Sequence, residues 1–308
     1  MSFSGECKEE LVKIRLRDAA LRKAQLSGVT LTAGGIRLSR PPAVFYNTES
    51  LVVARHIVAL ASSLFELDCV IECKTREHRR TPLYDVSLSG NNVEQMLSDT
   101  GAMVFGETGL QLCGAAPASV LQSDECKKAF LRGCFLGSGV CVNPQRSYHL
   151  EIMCCTDDLA EQIVELLNAV RLHGRKTTRK GRTLVYLKEG DDVSGFLALI
   201  GANVAAMQFE NVRVEKDMRN YVNRTSNCET ANLDKCVVAS LKQCAAIRTI
   251  ERHMALSKLP ASLEEAALLR MNHPDATLQE LADMADIQKS GMNHRLARLL
   301  KLAKELEG

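Results

Sequence analysis

An internal duplication in the first two-thirds of the chain constrains the fold more than any other feature of the sequence. The segment Ser89–Ala102 matches Glu189–Ala202, with Gly, Val, Leu, Gly and Ala recurring at one constant offset. Further upstream, Lys23–Gly34 matches Lys128–Gly139, with Lys, Ala, Leu, Gly, Leu and Gly at the same places. Two matches in the same order predict two copies of one structural unit within a single domain.

Hydrophobic periodicity predicts the same order of elements in both copies, which span about residues 1–110 and 120–221. Each copy begins with a helix and continues with two strands, a long helix, two more strands and a short helix. The short helices follow turns, with Asn91 or Asp191 predicted as the N-cap. The second copy has its predicted elements at 124–136, 140–142, 148–154, 157–172, 175–178 and 183–187. In the first copy the predicted long helix is 50–65, with strands at 69–74 and 83–89.

The last third of the chain has a different character. Residues 222–232 are polar and predict a linker, which separates a domain over 1–221 from one over 233–308. A long helix to about Leu256 is predicted next, with its apolar stripe facing inward at Leu233, Val237, Leu241, Cys244 and Ile247. The predicted fold class is therefore α+β: two αββαββα repeats followed by an all-α domain.

Three shorter helices are predicted at about 263–272, 278–285 and 290–304. Ser262 with Glu265, and Thr277 with Glu280, have the spacing of a capping box at a helix start. Asp286 stands where helix-turn-helix motifs usually have Gly in a left-handed conformation, and Asp tolerates that conformation. Ser290 is predicted to cap the last helix. The last two helices therefore have helix-turn-helix spacing, for which a purely structural helical hairpin is the alternative.

The polar face of the last helix predicts contact with double-stranded DNA. Asn can pair bidentately with adenine and Arg with guanine, while Lys and Ser suit phosphate oxygens. His294 is equally well explained as a solvated side chain. The candidate DNA-binding residues are Lys289, Ser290, Gly291, Asn293, His294, Arg295, Arg298 and Lys301.

Two basic segments occupy equivalent strand-to-strand turns of the two repeats, and a pseudo-two-fold pair of basic turns suits the phosphates of a duplex. The alternative is a turn that is basic only because it is solvated. The possible phosphate contacts are Lys74, Arg76, Arg79 and Arg80 in the first segment, Arg175, Lys176, Arg179, Lys180 and Arg182 in the second, and Arg219 and Arg224 near the linker. Four neighbours, Arg213, Lys216, Asn220 and Asn223, either hold DNA or satisfy the local backbone.

Composition excludes several classes of protein. With no Trp and only 4% aromatic residues, stacking platforms for single-stranded nucleic acid are scarce. The 12 cysteines are scattered without a Cys-x-x-Cys pair, so they are interpreted as small core residues in a reducing cytosol. The charged first eighteen residues are unlike a signal peptide, and no apolar run has the length of a membrane span. A cytoplasmic protein without membrane contact is expected.

The matching segments Leu26–Gly34 and Leu131–Gly139 resemble the LAGLIDADG motif of homing endonucleases. The resemblance implies two closely packed helices, with Gly28, Gly133 and Gly137 supplying small faces. It also implies an acidic residue in each motif that meets a divalent metal. Here the motif's two Asp positions hold neutral residues in both copies, namely Leu31, Ala33, Leu136 and Ser138. Since metal-assisted cleavage needs hard oxygen ligands, neither nuclease activity nor a metal or other cofactor is expected.

Taken whole, the chain resembles the WhiA family of sporulation and cell-division regulators. The resemblance rests on Ser2–Ser4, Lys127–Phe135, Val185–Gly190, Glu210–Arg213, Met218–Arg224, Asn227–Asn232 and Lys289–Leu296. It implies a degenerate endonuclease-like domain joined to a DNA-binding helix-turn-helix, and a nucleoid-associated transcription regulator that meets the transcription machinery or other regulators. A monomer suffices, because the duplicated domain contains its own pseudo-two-fold. The alternative is a nucleoid-anchored scaffold whose N-terminal domain docks a protein partner.

Overall fold

A computed structural model describes residues 2–37, 42–75, 82–106, 109–112 and 114–307. They form two compact units, Met1–Lys216 and Asp217–Gly308. Among these described residues, none of the helices combines the length and the apolar character needed to cross a bilayer.

The first unit contains the two predicted repeats, and the order of elements in each is confirmed. A helix that was not predicted, α1 (Phe3–Leu11), precedes them. The first repeat has α2 (Ala19–Ala33), β1 (Gly34–Arg37), β2 (Ala43–Thr48), α3 (Leu51–Ser62), β3 (Asp68–Lys74), β4 (Leu83–Ser89) and α4 (Val93–Asp99). A hairpin that was also not predicted follows, formed by β5 (Met103–Gly106) and β6 (Gly109–Leu112). The second repeat has α5 (Asp124–Ser138), β7 (Gly139–Cys141), β8 (Leu150–Cys154), α6 (Asp157–Ala169), β9 (Arg175–Arg179), β10 (Arg182–Leu187) and α7 (Gly190–Ile200).

Each repeat forms one four-stranded antiparallel sheet, and the two sheets have the same topology. The strand order is β1-β2-β4-β3 in the first and β7-β8-β10-β9 in the second. Alternate residues of the central strands are buried, among them Val86, Leu88, Ile152 and Val185. Because strand side chains alternate between faces, each sheet has one face on the core and one facing away from it. This agrees with the predicted α+β class.

Helices α2 and α5 cross at the centre of the first unit, closely enough to require glycine. A Cβ atom on Gly28 would lie 2.2 Å from the carbonyl oxygen of Phe130, and one on Gly133 would lie 2.1 Å from that of Gln25. Distances this short to backbone atoms cannot be relieved by rotating a side chain. The helix pair that the repeated motif implied is therefore present.

Each repeat ends in a short helix, α4 in the first and α7 in the second. One side chain from the equivalent position of α2 or α5 hydrogen-bonds to the C-terminal end of that short helix. Ser27 Oγ donates to the carbonyl of Thr100, just after α4, at 2.6 Å. Arg132 Nε donates to the carbonyl of Ile200, the last residue of α7, at 2.5 Å. The predicted caps at Asn91 and Asp191 are wrong by one and two residues, because the N-caps are Asn92 and Glu189.

The long helix α8 (Asn203–His253) begins where Glu10 of α1 caps it. The Glu10 carboxylate accepts from the backbone N–H groups of Val204 at 2.8 Å and Ala205 at 3.1 Å. Residues 222–232, predicted as a linker, lie within this helix. The segment contains neither Pro nor Gly, and Asn, Ser and Thr disfavour a helix by only a few tenths of a kcal/mol each. The domain boundaries predicted on either side of it stay a prediction.

The predicted inward stripe of this helix is correct only in its last part. Cys244 and Ile247 are buried, whereas Leu233, Val237 and Leu241 are 65%, 50% and 66% exposed. Periodicity identifies an apolar stripe, but it cannot tell whether another element covers that stripe.

Six of the ten described cysteines are buried, which agrees with their interpretation as small core residues. Burial raises the pKa of the Cys141 and Cys154 thiols to about 12, so both remain protonated at neutral pH. Cys73, Cys155 and Cys236 are exposed and Cys69 is half-buried, so the interpretation does not extend to these four.

Candidate nucleic-acid interface

The second unit contains three helices after α8: α9 (Ala261–Asn272), α10 (Leu278–Met284) and α11 (Lys289–Glu307). A short 3₁₀ helix, Leu256–Lys258, leads into them. All three agree with the predicted helices to within three residues. Their common core contains Leu281 and Ala282 of α10 and the apolar stripe of α11, Met292, Leu296, Leu299 and Ala303. Ala282 is fully buried, as a small residue at a helix crossing should be.

The start of α10 has the predicted capping box. Thr277 Oγ1 accepts from the backbone N–H of Glu280 at 3.3 Å, and the Glu280 carboxylate accepts from the backbone N–H of Thr277 at 2.6 Å. This second bond holds the pKa of Glu280 below its ordinary value. The capping box predicted for Ser262 and Glu265 is wrong, because α9 begins earlier, after Pro260, and Ser262 lies inside it.

The turn before α11 has the predicted left-handed residue. Asp286 has φ of 49°, and the next residue, Ile287, donates from its N–H to the carbonyl of Ala282 at 3.0 Å. The carbonyl of Gln288 accepts from the N–H groups of Gly291 at 2.9 Å and Met292 at 3.2 Å. The helix therefore starts at Lys289, and the prediction that Ser290 caps it is wrong.

A buried arginine that sequence analysis missed holds the connection between α9 and α10. Arg270 is 3% exposed, and its Nη1 donates to the carbonyl oxygens of Ala276 at 2.7 Å and of His273 and Pro274 at 3.3 Å. Ser240 of α8 donates to the same Pro274 carbonyl at 2.5 Å. Burial lowers the pKa of Arg270 from its ordinary value. A lone Arg among the apolar residues of α9 was the available signal.

Most of the predicted DNA-binding side chains lie together on one exposed face of α11. The exposed members are Lys289, Ser290, Asn293, His294, Arg298 and Lys301. Gly291 is partly buried beside Ile287, where an added Cβ would meet the Ile287 side chain at 3.7 Å. Arg295 is set apart, because its Nη1 pairs with Glu265 of α9 at 2.7 Å. Lys301, near the other end of this face, lies 3.8 Å from Glu305.

The predicted phosphate contacts lie in two different settings. Arg175, Arg179, Lys180 and Arg182 are exposed, whereas Lys176 pairs with Glu161 at 2.7 Å. Lys74 pairs with Asp85, while Arg76, Arg79 and Arg80 lie outside the described residues.

Of the candidates near the predicted linker, two are held within the first unit. Arg213 pairs with Asp191 at 2.8 Å and Glu210 at 2.7 Å, and Lys216 donates to the carbonyl of Pro144 at 2.7 Å. The others, Arg219, Asn220, Asn223 and Arg224, are exposed on α8.

The ends of α2 and α5, where an endonuclease of this fold would carry its carboxylates, are neutral. Leu31 and Leu136 are buried, and Ser138 Oγ donates to the carbonyl of Met153 at 2.7 Å. Within the described ranges there is no group of three or more His, Cys, Asp or Glu side chains placed to hold a metal ion.

Comparisons with known proteins agree with this architecture. Residues 127–219 match the profile of the WhiA LAGLIDADG-like domain, and residues 222–303 match that of the WhiA C-terminal HTH domain. The chain is 36% identical over 312 residues to a probable cell division protein WhiA of Clostridium novyi, covering 99% of this chain and 98% of the relative. It is 35% identical over 314 residues to that of Alkaliphilus metalliredigens, covering 100% and 99%.

A solved structure shows the same fold over the whole chain. The full-length DUF199/WhiA crystal structure from Thermatoga maritima has a TM-score of 0.62 at 22% identity, covering 99% of each chain. A structure of the N-terminal LAGLIDADG domain of DUF199/WhiA has a TM-score of 0.50 at 21% identity, covering 65% of this chain and 92% of the other.

Proposed function

The chain belongs to the WhiA family, and we propose that it is a sequence-specific regulator of transcription that binds double-stranded DNA. Its role would be linked to cell division and sporulation. The observation that carries the proposal is the exposed polar face of α11, which follows a helix-turn-helix turn with its left-handed residue at Asp286. The names of the relatives, probable cell division proteins, support the link to division.

Each side chain of this face has a role in the proposed complex. Asn293 and Arg298 would read base edges in the major groove, because an amide matches adenine and a guanidinium matches guanine. Lys289 and Ser290, at the start of the helix, would contact phosphates. His294 and Lys301 lie on the same face, and Arg295 would join them only by leaving Glu265. On this proposal the protein works at the nucleoid.

We also propose that the protein does not cleave DNA. The neutral residues at the ends of α2 and α5 support this, because hydrolysis of a phosphodiester with Mg²⁺ needs carboxylates to hold the metal. A sensitive test is the rate of duplex nicking with Mg²⁺ or Mn²⁺ present. Any cleavage that copurifies with the protein and disappears on mutation of residues near Ser138 would contradict the proposal.

The test of DNA recognition starts by selecting the preferred duplex from a random library with the full-length protein. Binding is then measured by fluorescence anisotropy on the selected duplex and on a scrambled one. We expect Asn293→Ala and Arg298→Ala each to weaken binding to the selected duplex by about 5- to 150-fold, the equivalent of 1–3 kcal/mol per bidentate base contact. The scrambled duplex should lose much less.

Lys304→Ala is the matched control. It removes a cation from an exposed position on the same helix, nearly two turns after Arg298. It should reduce both affinities slightly and equally. Two results would contradict the proposal that α11 recognises a DNA sequence. One is a selection that yields no preferred sequence, and the other is an Arg298→Ala variant that weakens binding to both duplexes by the same factor.

The second candidate is a scaffold whose first unit docks a protein partner at the nucleoid. The face of the first sheet that points away from the core favours it, because Phe45 and Val70 are 38% and 49% exposed there. The test uses the Phe45→Ser and Val70→Ser variants. This candidate predicts that both variants bind DNA with normal affinity but lose function in cells.

A further inference from the structure

The two four-stranded sheets have four edge strands between them, and one differs from the other three. In the strand orders β1-β2-β4-β3 and β7-β8-β10-β9, the edge strands are β1, β3, β7 and β9. An edge strand presents backbone N–H and C=O groups that no neighbouring strand satisfies, so it can pair with a strand of another chain. Proteins prevent such pairing with short edges, charged side chains, proline or β-bulges.

Three of these edges are protected in the ways expected. Strand β1 has four residues, two of which are glycine, and β7 has three residues. Strand β9 has five residues, and its ends are Arg175 and Arg179. If β9 met a second β9 in the antiparallel register centred on Thr177, arginine would face arginine at both ends. Like charges directly opposite each other in a sheet are destabilising, so β9 resists pairing with itself.

Strand β3 has none of these protections. It has seven residues, Asp68–Lys74, none of which is proline or glycine. It pairs with β4 through seven consecutive residues, without a bulge. On its other side it has no neighbouring strand among the described residues. Five of its side chains are exposed, including Val70 at 49%. Of the four edges, β3 is therefore the longest and the most regular, and its outer side is free to receive a strand.

The charges of β3 are complementary to those of the same strand read in reverse. In an antiparallel pair of two β3 strands related by a two-fold axis, with Ile71 at the centre, Asp68 lies opposite the partner's Lys74. The two-fold axis repeats this contact at the other end, so opposite charges meet twice. Between the ends and the centre, Val70 lies opposite the partner's Glu72, which brings no like charges together.

The neighbouring registers lack this complementarity. A two-fold pair has a residue at its centre, because only alternate residues direct their backbone groups to the same edge. With Val70 at the centre, Asp68 would lie opposite the partner's Glu72. With Glu72 at the centre, this residue would lie opposite the partner's Glu72. Both arrangements set carboxylates against each other and are destabilised. Electrostatics therefore selects the register centred on Ile71.

Both charged groups can take part in the pairing. Asp68 is exposed and makes no ion pair with the described residues. Lys74 pairs with Asp85 of its own chain, but its side chain remains 53% exposed. Because a lysine ammonium has three donors, Lys74 can keep Asp85 and also donate to a second carboxylate.

We propose that two copies of this chain associate through β3, so that four strands from each copy form one continuous sheet. The occupant of the edge is a second copy because the charges match only when the strand meets itself in reverse. Backbone hydrogen bonds supply the pairing, as in other cases of strand addition, and the two ion pairs fix its register. The dimer departs from the monomer that the duplication favours. It does not rest on the proposed function, since it forms without DNA.

The first test is sedimentation velocity on the full-length protein, without DNA, over a wide range of concentration. We expect the parent to form dimers as the concentration rises. Asp68→Lys and Lys74→Asp each set like charges opposite at both ends, so each should raise the Kd of the dimer by about tenfold or more. An equal mixture of the two variants should associate as well as the parent, because every mixed pair again sets a lysine opposite an aspartate.

Two controls separate this effect from others. Arg175→Asp makes the same charge reversal on the edge strand β9, and it should leave the Kd unchanged. Lys74→Asp also loses the pair with Asp85, so its thermal unfolding is compared with that of the parent. Recovery in the mixture excludes a damaged fold as the cause, since mixing does not repair a misfolded chain.

The cysteines of β3 supply an independent test. In the register centred on Ile71, Cys69 lies opposite the partner's Cys73, with facing Cβ atoms about 5 Å apart. A short bismaleimide should therefore cross-link the parent into dimers. Cys69→Ser and Cys73→Ser should each abolish the cross-link, and their mixture should restore it, because the mixed dimer has one facing pair of thiols. The exposed Cys155 and Cys236 remain in every sample and set the background.

Three results would overturn the proposal. The first is a parent that stays monomeric at its highest soluble concentration. The second is a mixture of Asp68→Lys and Lys74→Asp that associates no better than either variant alone. The third is a cross-link that survives both serine substitutions.

Discussion

At equivalent places in the two repeats, Ser27 holds the end of the first repeat with a hydroxyl and Arg132 holds the end of the second with a guanidinium. The glycines beside them, Gly28 and Gly133, are the same in both. On the outer faces of the sheets, the carboxylates of Glu72 and Asp85 stand where the second repeat has Thr177 and Leu184. The comparison teaches that the close backbone approach of the two helices is kept in both repeats, because a helix crossing has no room to vary, while the charge on the outer faces of the sheets differs between them.

The largest effect should come from breaking what the repeats share. Gly28→Ala and Gly133→Ala would each place a Cβ against a backbone carbonyl oxygen, so we expect each to lower the free energy of unfolding by about 3 kcal/mol or more. Denaturant unfolding measures it. Gly195→Ala is the control, since its Cβ would meet only the end of the Leu172 side chain. If Gly28→Ala left the free energy of unfolding unchanged while Gly133→Ala lowered it, the two sides of the helix crossing would not be equivalent.

The next largest effect should distinguish the two repeats, because Arg132 and Ser27 make different hydrogen bonds at equivalent positions. Arg132→Met removes a charged hydrogen bond and leaves the Ile200 carbonyl unpaired, with an expected loss of about 2 to 3 kcal/mol. Ser27→Ala removes a neutral hydrogen bond, with an expected loss of about 1 kcal/mol. Equal losses in denaturant unfolding would mean that the two contacts are interchangeable.

A pH effect of similar size belongs to the first repeat. Burial, with a smaller contribution from Arg132, lowers the pKa of His56 to about 4, and His56 hydrogen-bonds Gln25 at 2.9 Å. In the unfolded chain its pKa is about 6.5, so the unfolded state binds the proton first and stability is lost as the pH falls from 6.5 to 4. We expect this residue to account for about 3 kcal/mol of that loss.

His56→Gln is the comparison that isolates this contribution, since an amide keeps a hydrogen bond to Gln25 but does not titrate. Its free energy of unfolding should fall less steeply than that of the parent between pH 7 and pH 4. Parallel curves would show that His56 is protonated in the folded protein as readily as in the unfolded chain.

The smallest effect should come from the outer faces. Arg179→Gln relieves the repulsion with Arg182, and Glu72→Gln relieves that with Asp85, so each should raise the free energy of unfolding by a few tenths of a kcal/mol. Thr177→Gln, on the same strand, should change it little. Precise thermal unfolding at low salt is the measurement. Destabilisation by either relieving substitution would mean that the charged pair contributes to the fold.

The sequence predicted those parts of the fold that depend on local pattern. The strands and helices of both repeats, the capping box at Thr277 and the left-handed Asp286 were correct, because each follows from periodicity or from the side chain at one position. The predicted caps at Ser262 and Ser290 were wrong, because the chain reaches helical geometry before those hydroxyls. A capping residue is recognised only when the helix start is known.

By itself, the sequence determined the duplication, the α+β class, the neutral motif ends and the polar residues of the last helix. The tertiary structure alone decided which of those residues are available. It paired Arg295 with Glu265, left Leu233 exposed and continued α8 through the polar segment. It also set Arg179 against Arg182 and Glu72 against Asp85. The physical reason is that strand register and ion pairing join residues through space, and no local pattern along the chain encodes those distances.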